Sequence, residues 1–137
     1  MAGSLITLDT SGVLALLSRR DPAHTRAVEE LEADRGPYLV PAATLGEIGH
    51  FVEQRLGSPA LDAFLADLVD SAYTLDCGEH DLGRVQELVR RYDDLPLGLT
   101  DAAVVACAER SGGRVLTLDR RHFSVVARAE PIDVVPS

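Results

Sequence analysis

Lysine is absent from this chain: all 13 basic residues are arginine, and 22 acidic residues outnumber them to leave a formal net charge of −9. An acidic surface repels phosphate, which argues against a passive nucleic-acid binder working through a basic face, so any work on a nucleic acid must rest on local features. Aromatics are sparse as well. Tyr38, Phe51, Phe64, Tyr73, Tyr92 and Phe123 are the whole set, and they do not suggest the base-stacking platform of a single-strand binder.

Cysteine is scarcer still. Cys77 and Cys107 have no histidine or cysteine partner at zinc spacing. Both are expected to be small core hydrophobes rather than a secreted protein's disulfide, because the N-terminus shows neither a basic leader nor a cleavage site. No apolar run approaches the ~18 residues of a membrane span. The stretch from Leu5 to Leu17 is broken by Asp9, Thr10, Ser11 and Gly12. A soluble, cytoplasmic protein is expected. Repeats, low-complexity tracts and linkers are missing too, and 137 residues with 46% hydrophobic content suit a single domain over 1–137.

What is present is an alternation of two patterns. Short Leu/Ile/Val-rich runs read as strands at Leu5–Leu8, Tyr38–Val40, Ala72–Leu75, Val115–Leu118 and Ile132–Val135. Between them, Asp21-Pro22 and Ser58-Pro59 are helix-start signals, the first followed by Ala27, Val28 and Leu31 and the second by Leu61, Phe64, Leu65 and Leu68. Thr44–Leu56 reads as a helix ended by Gly57, and Glu79–Tyr92 as one with an apolar stripe at Leu82, Val85, Leu88 and Val89. After a loop with Asp93, Asp94, Pro96 and Gly98, Thr100 is placed to cap a helix running through Ala108 and stopping at Gly112-Gly113. Strands alternating with helices imply parallel pairing through right-handed crossovers, an α/β class with a three-layer α/β/α sandwich. In such sheets the working site lies at the carboxyl ends of the strands where strand order reverses.

Four acidic residues fall at such places. Asp9 directly follows Leu5-Ile6-Thr7-Leu8, and Asp119 directly follows Val115-Leu116-Thr117-Leu118, each capping a buried strand. Asp101 opens the helix before the fourth strand, and Glu47 lies near the start of the helix after the second, flanked by Gly46 and Gly49. Two unit charges 4 Å apart at an effective dielectric of ~20 repel by roughly 4 kcal/mol, so a cation must compensate such a gathering. Oxygen donors without a paired histidine or cysteine select Mg²⁺ or Mn²⁺. Such a site, particularly with two metals ~4 Å apart, suits phosphodiester hydrolysis.

Each residue also has an ordinary explanation. Asp9 and Asp119 can be helix N-caps, Asp101 a first-turn acid favoured by the helix dipole, and Glu47 a solvated helix glutamate. Joint placement is what separates the two readings. Thr10, Ser11 and Thr100 can orient the carboxylates with their hydroxyls or merely cap helices. Arg120, Arg121 and His122, the only basic triplet, can grip substrate phosphates or form a solvated turn. Asp94 is an outer candidate. His50 makes a Glu-x-x-His spacing with Glu47, but one copy among strands does not make a di-iron bundle.

Asp9-Thr10-Ser11-Gly12, Glu47 in its apolar helix, Asp94-Leu95-Pro96-Leu97-Gly98-Leu99-Thr100-Asp101-Ala102 and Leu116-Thr117-Leu118-Asp119-Arg120-Arg121-His122-Phe123 together resemble the PIN-domain family, and more narrowly the VapC toxins of type II toxin–antitoxin operons. The resemblance spans essentially the whole chain. It implies a PIN fold with a central parallel five-stranded sheet in the order 3-2-1-4-5. It implies a Mg²⁺- or Mn²⁺-dependent endoribonuclease cutting structured RNA such as tRNA or rRNA and inhibiting translation. Asp9, Glu47, Asp101 and Asp119 match the family's acidic quartet, and Thr10 or Ser11 its accompanying hydroxyl. A homodimer restrained by a VapB-like antitoxin is also implied, with DNA reached only through that antitoxin.

Two other readings stand beside this one. A catalytically silent acidic module would use the same carboxylates only to bind a basic peptide. An aspartyl-phosphate phosphatase would use Asp9 as nucleophile, but Ser11 stands where its second aspartate belongs and no lysine exists to neutralise a phosphoryl group.

Overall fold

A computed structural model of the chain describes residues 5–34 and 36–136. Strands β1 (Ile6–Leu8), β2 (Tyr38–Pro41), β3 (Thr74–Asp76), β4 (Arg114–Leu116) and β5 (Asp133–Val135) form one all-parallel sheet in the order β3-β2-β1-β4-β5. The expected α/β class and strand order are those observed. Among the described residues seven helices surround it: α1 (Thr10–Leu17), α2 (His24–Asp34), α3 (Leu45–Leu56), α4 (Ser58–Val69), α5 (Leu82–Arg91), α6 (Leu99–Arg110) and α7 (Arg120–Ala127).

The two-residue period of a strand divides the core. Ile6 and Leu8 of β1, Val40 of β2 and Leu116 of β4 pack with Val13, Ala27, Ile48, Val52 and Phe64 from α1 to α4. Val115 faces the other way, among Val85, Leu88, Val104, Val105, Phe123 and Val126 of α5, α6 and α7. Thr7 shares that second face, its hydroxyl 3.6 Å from the Cys107 thiol on α6. Covered on both sides, the central strand β1 is buried along its whole length, whereas the edge strand β3 is largely exposed.

The structure departs from expectation at several points. β3 ends at Asp76, and Cys77, expected in the core, is exposed. Edge-strand position explains this: the chain leaves β3 through Gly78, whose positive φ of 64° turns it into a 3₁₀ turn at Glu79–Asp81. That turn, not an α-helix, fills the first three residues of the expected Glu79–Tyr92 segment, and Leu82, placed in its apolar stripe, stands 64% exposed. Thr100 is not a cap. α6 begins one residue earlier, with Gly98 at its N-cap. β4 ends at Leu116, so Asp119 lies three residues beyond the strand rather than directly on its end.

The neighbours β2, β1 and β4 place the reversal of strand order at β1. The chain leaves β1 into α1 and leaves β4 towards α7, so two loops open side by side at the sheet's carboxyl edge. Gly12 lets them meet. A Cβ there would lie 2.4 Å from the Leu116 carbonyl oxygen, so only glycine allows α1 this close to β4.

Candidate active site

Asp9 stands at that opening, 5% exposed and one residue past the end of β1. Its Oδ1 accepts from the Gly12 backbone N–H (2.7 Å) and the Ser11 hydroxyl (2.8 Å), and its Oδ2 accepts from the Thr117 hydroxyl (2.5 Å). Asp9 therefore does cap α1, as its ordinary explanation requires, but capping accounts for one of three bonds. Each hydroxyl, having given its proton to Asp9, accepts a backbone N–H: Ser11 takes that of Leu118 across from the loop after β4 (2.8 Å), and Thr117 takes that of Asp119 within its own loop (3.0 Å). The two loops are thus laced together through a single carboxylate.

Burial outweighs these donors. Desolvation, opposed by the bonds from Thr117, Gly12 and Ser11 and aided by the nearby charge of Asp101, pushes the Asp9 carboxyl up to about 6. Asp101, in the first turn of α6, is also raised, first by burial and then by the charges of Asp119 and Glu47, against the hydrogen bond and charge of His122. His122 Nδ1 lies 3.2 Å from Asp101 Oδ2 and 3.9 Å from Asp119 Oδ2, bridging the two. Asp119 occupies the N-cap position of α7 yet makes no capping bond, so its carboxylate is not committed to that duty.

All four acidic candidates line one pocket of about 210 Å³, walled by Asp9, Thr10, Ser11, Glu47, Thr100, Asp101 and Asp119 with Leu14, Phe51 and Arg55. They come from four elements, which explains why no local pattern joins them. Thr10 is buried, and its hydroxyl oxygen has no hydrogen-bond partner among the described residues. Asp94 is exposed and not on the wall, and His50, also exposed, rests its ring against Phe51. Arg120 and Arg121 do not line the pocket either; Arg120 instead donates to the Pro136 carbonyl. Three participants lay outside the candidate set: Thr117, Phe51 and Arg55. The repeated Thr-Leu-Asp at 7–9 and 117–119 displays Thr117 in the sequence, but its partner depends on the β1–β4 pairing.

Whether a divalent cation suits this pocket is decided by its donors. They are carboxylate and hydroxyl oxygens, hard ligands of the type Mg²⁺ and Mn²⁺ prefer, and burial raises both the Asp9 and the Asp101 carboxyls above their ordinary value. Among the described residues no three His, Cys, Asp or Glu side chains stand together as a group that could hold a metal ion. Mg²⁺ does not demand one, since it is commonly held by one or two carboxylates while keeping several waters.

A second, mainly apolar cavity of about 240 Å³ lies near the carboxyl ends of β2 and β3, lined by Pro41, Cys77, Leu82, Leu99 and Cys107. Two of its three acids, Asp76 and Asp81, are engaged by Arg110, at 2.7 and 2.8 Å. The chemistry concentrates in the acidic pocket instead.

Comparison with known proteins agrees with this architecture. Residues 6–129 match the family model of the PIN domain. Ribonuclease VapC26 of Mycobacterium tuberculosis is 34% identical over 121 residues, which cover 87% of this chain and 90% of that protein. Among solved structures, the Mycobacterium tuberculosis VapC20, described as a Sarcin-Ricin loop cleaving toxin, superposes with a TM-score of 0.75 at 25% identity, covering 88% of this chain and 94% of the other. VapBC2 of Rickettsia felis, solved bound to a DNA fragment from its promoter, shares the fold at a TM-score of 0.68 and 14% identity, covering 95% of this chain and 96% of the other. The parallel sheet with its acidic opening at β1 and β4 and the match over residues 6–129 lead to one conclusion: this chain belongs to the PIN-domain family and is similar to the VapC ribonucleases within it.

Proposed function

We propose that this protein is a Mg²⁺- or Mn²⁺-dependent endoribonuclease, the toxin of a type II toxin–antitoxin pair, that hydrolyses phosphodiester bonds in structured RNA such as tRNA or rRNA and so inhibits translation. The observation that carries this reading is the meeting of Asp9, Glu47, Asp101 and Asp119 from four separate elements around one pocket. Similarity to Ribonuclease VapC26 supports the choice of RNA.

Asp9 and Asp101 are the residues to hold the cation, with Glu47 and Asp119 reaching it directly or through water. A divalent cation bound there supplies an activated water, an oriented phosphate and a stabilised leaving oxygen. The chain does the rest by placement. Ser11, Thr117 and the Gly12 N–H fix both oxygens of Asp9 on the pocket wall, leaving acceptor capacity on Oδ2. His122 fixes Asp101 and draws Asp119 towards it. Thr10 and Thr100 add hydroxyls on the pocket wall.

The same negative charge suits an inhibitor. A VapB-like antitoxin presenting a basic segment would be attracted to a pocket that RNA enters only with its own cations. Solved complexes that share this fold, VapBC2 of Rickettsia felis and FitAcB of Neisseria gonorrhoeae, lend support to a partner of that kind. The protein acts in this reading as a cytoplasmic homodimer, and no helix among the described residues is long and apolar enough to cross a membrane.

The test is Asp9→Ala. Wild-type protein with manganese should cut RNA and arrest growth when expressed, and the variant should do neither while retaining its fold. Retained cleavage contradicts the assignment. A calorimetric titration with Mn²⁺ separates the alternative of a silent peptide-binding module, which should bind no ion specifically.

A further inference from the structure

We propose that Arg55, with Arg20 beside it, forms an anion subsite holding the phosphate backbone of the substrate strand where that strand leaves the carboxylate pocket. This deepens the ribonuclease reading and rests on it.

Glu47, Phe51 and Arg55 stand at i, i+4 and i+8 on α3, one stripe along the helix that faces the pocket while Ile48 and Val52 are buried in the core. The acidic end of this stripe meets the other carboxylates. Its basic end opens elsewhere. Arg55 and Leu14 wall both the acidic pocket and a neighbouring cavity of about 170 Å³ lined by Ser18, Arg20, Asp21 and Leu56, so these two side chains stand between adjacent depressions. Arg55 is the one basic side chain on the wall of the acidic pocket.

Its guanidinium is available. Arg84 and Arg91 are engaged by Glu130, Arg110 by Asp76 and Asp81, and Arg120 by the Pro136 carbonyl; Arg26 and Arg114 have partners of their own. Arg55 instead lies over the Phe51 ring, 4.7 Å from its centroid, a contact that steadies the planar fork, and its N–H groups donate to none of the described residues. Arg20 is exposed on the far wall. The acid there, Asp21, turns its Oδ1 back onto the Ala23 backbone N–H at 2.8 Å. A chain with net charge −9 that must admit a polyanion needs a local cation at the mouth of its acidic pocket, and the guanidinium fork matches phosphate oxygens two at a time.

The test is steady-state cleavage of total bacterial RNA by the full chain with manganese, over a series of KCl concentrations, for wild type, Arg55→Ala, Arg55→Lys, Arg20→Ala and the exposed control Arg90→Ala, each checked for fold by thermal melting. Arg55→Ala should raise KM on the order of tenfold with kcat within about twofold of wild type. It should also make the negative slope of log(kcat/KM) against log[salt] shallower by about one. Arg55→Lys should keep the slope and recover part of KM, because it keeps charge but not the fork. Arg20→Ala should move KM in the same direction by less, and Arg90→Ala should change nothing. Wild-type cleavage with KM and slope unaltered in Arg55→Ala overturns the subsite alone, as does a fall in kcat at constant KM, which marks Arg55 as a charge balance for the carboxylates. Absence of cleavage by wild type removes the ribonuclease reading and the subsite with it.

Discussion

Thr117 and Asp9 are 108 positions apart in the chain and 2.5 Å apart at the carboxyl edge of the sheet, joined hydroxyl to carboxylate. The contact exists because β1 and β4 pair in parallel register, Leu8 opposite Leu116, so the next residue of each strand emerges at the same level. Thr117 also receives the Asp119 N–H, which makes it the joint between two of the acidic candidates. Replacing it with valine keeps the shape and removes the hydroxyl. Supporting groups of this kind are worth roughly 10- to 100-fold in metal affinity or activity. Thr117→Val is expected to lose that much in manganese affinity by calorimetry, and Thr117→Ser to restore most of it. Equal affinity in all three proteins would reduce Thr117 to packing.

The burial of Asp9 has a pH signature in the metal-free protein. Its carboxyl is raised from 3.8 to about 6, so between those values the folded state binds more protons than the unfolded one. Stability therefore falls as pH rises through this window, by about 3 kcal/mol at 1.36 kcal/mol per unit. The effect is absent below pH 4 and complete above 7. Asp101, raised as well, acts in the same direction. Urea unfolding with chelator at pH 5 and pH 7.5 should show wild type losing stability relative to Asp9→Asn, with the variant more stable at the higher pH. Added Mn²⁺ should reverse the order at pH 7.5, since an ion held by Asp9 stabilises only the protein that retains the carboxylate. A pH-independent difference between the two proteins would refute the buried, proton-binding carboxyl.

These two residues also mark the reach of the sequence. Asp9 was legible because a charged residue ending an apolar run is visible at once, and its neighbours Thr10 and Ser11 came with it. The alternation of strands and helices gave the class, and the family resemblance supplied the strand order. Thr117 and Arg55 were hidden for a physical reason: one depends on which strands are neighbours, the other on the azimuth of a helix face relative to a pocket. Arg120 illustrates the converse. Sequence proximity to Asp119 suggested a phosphate grip, but α7 turns that guanidinium towards the Pro136 carbonyl. Cys77 and Leu82 failed through the edge of the sheet, where an apolar residue finds no layer to cover it.

Glu130 separates stability from activity. Its carboxylate, 4% exposed, accepts from Arg84 (2.6 Å), Arg91 (2.7 Å) and Tyr92 (2.6 Å), joining the segment after α7 to α5 and the residue that ends it. Burial alone would raise its pKa, but the bonds from Tyr92, Arg91 and Arg84 prevail and hold it below the usual carboxylate value. Glu130→Ala deprives three donors of their acceptor and should cost about 2 to 3 kcal/mol, the guanidinium partners being partly solvated and so able to recover some hydration. None of these residues lines the acidic pocket. Chemical denaturation should register the loss, while kcat per folded molecule stays at the wild-type level; a matching fall in kcat would mean that the network reaches the site.

Gly12 and Gly83 offer a paired experiment on what a methyl group does. At Gly83, in the first turn of α5, an added Cβ meets nothing within 4 Å, and alanine should stabilise by about 0.5 kcal/mol through the lower entropy of the unfolded chain. At Gly12 the same methyl would press on the Leu116 carbonyl oxygen at 2.4 Å, and backbone on both sides leaves no flexible side chain to yield. α1 must then move away from β4, at a cost of about 1 to 3 kcal/mol. That movement parts the Gly12 N–H from Asp9 and strains the Ser11 and Thr117 bonds that span the same gap. Gly12→Ala is therefore expected to melt lower and also to bind manganese more weakly in the fraction that remains folded, whereas Gly83→Ala should melt higher with wild-type affinity. Undiminished manganese affinity in a destabilised Gly12→Ala would show that the spacing of α1 and β4 serves packing without serving the carboxylate.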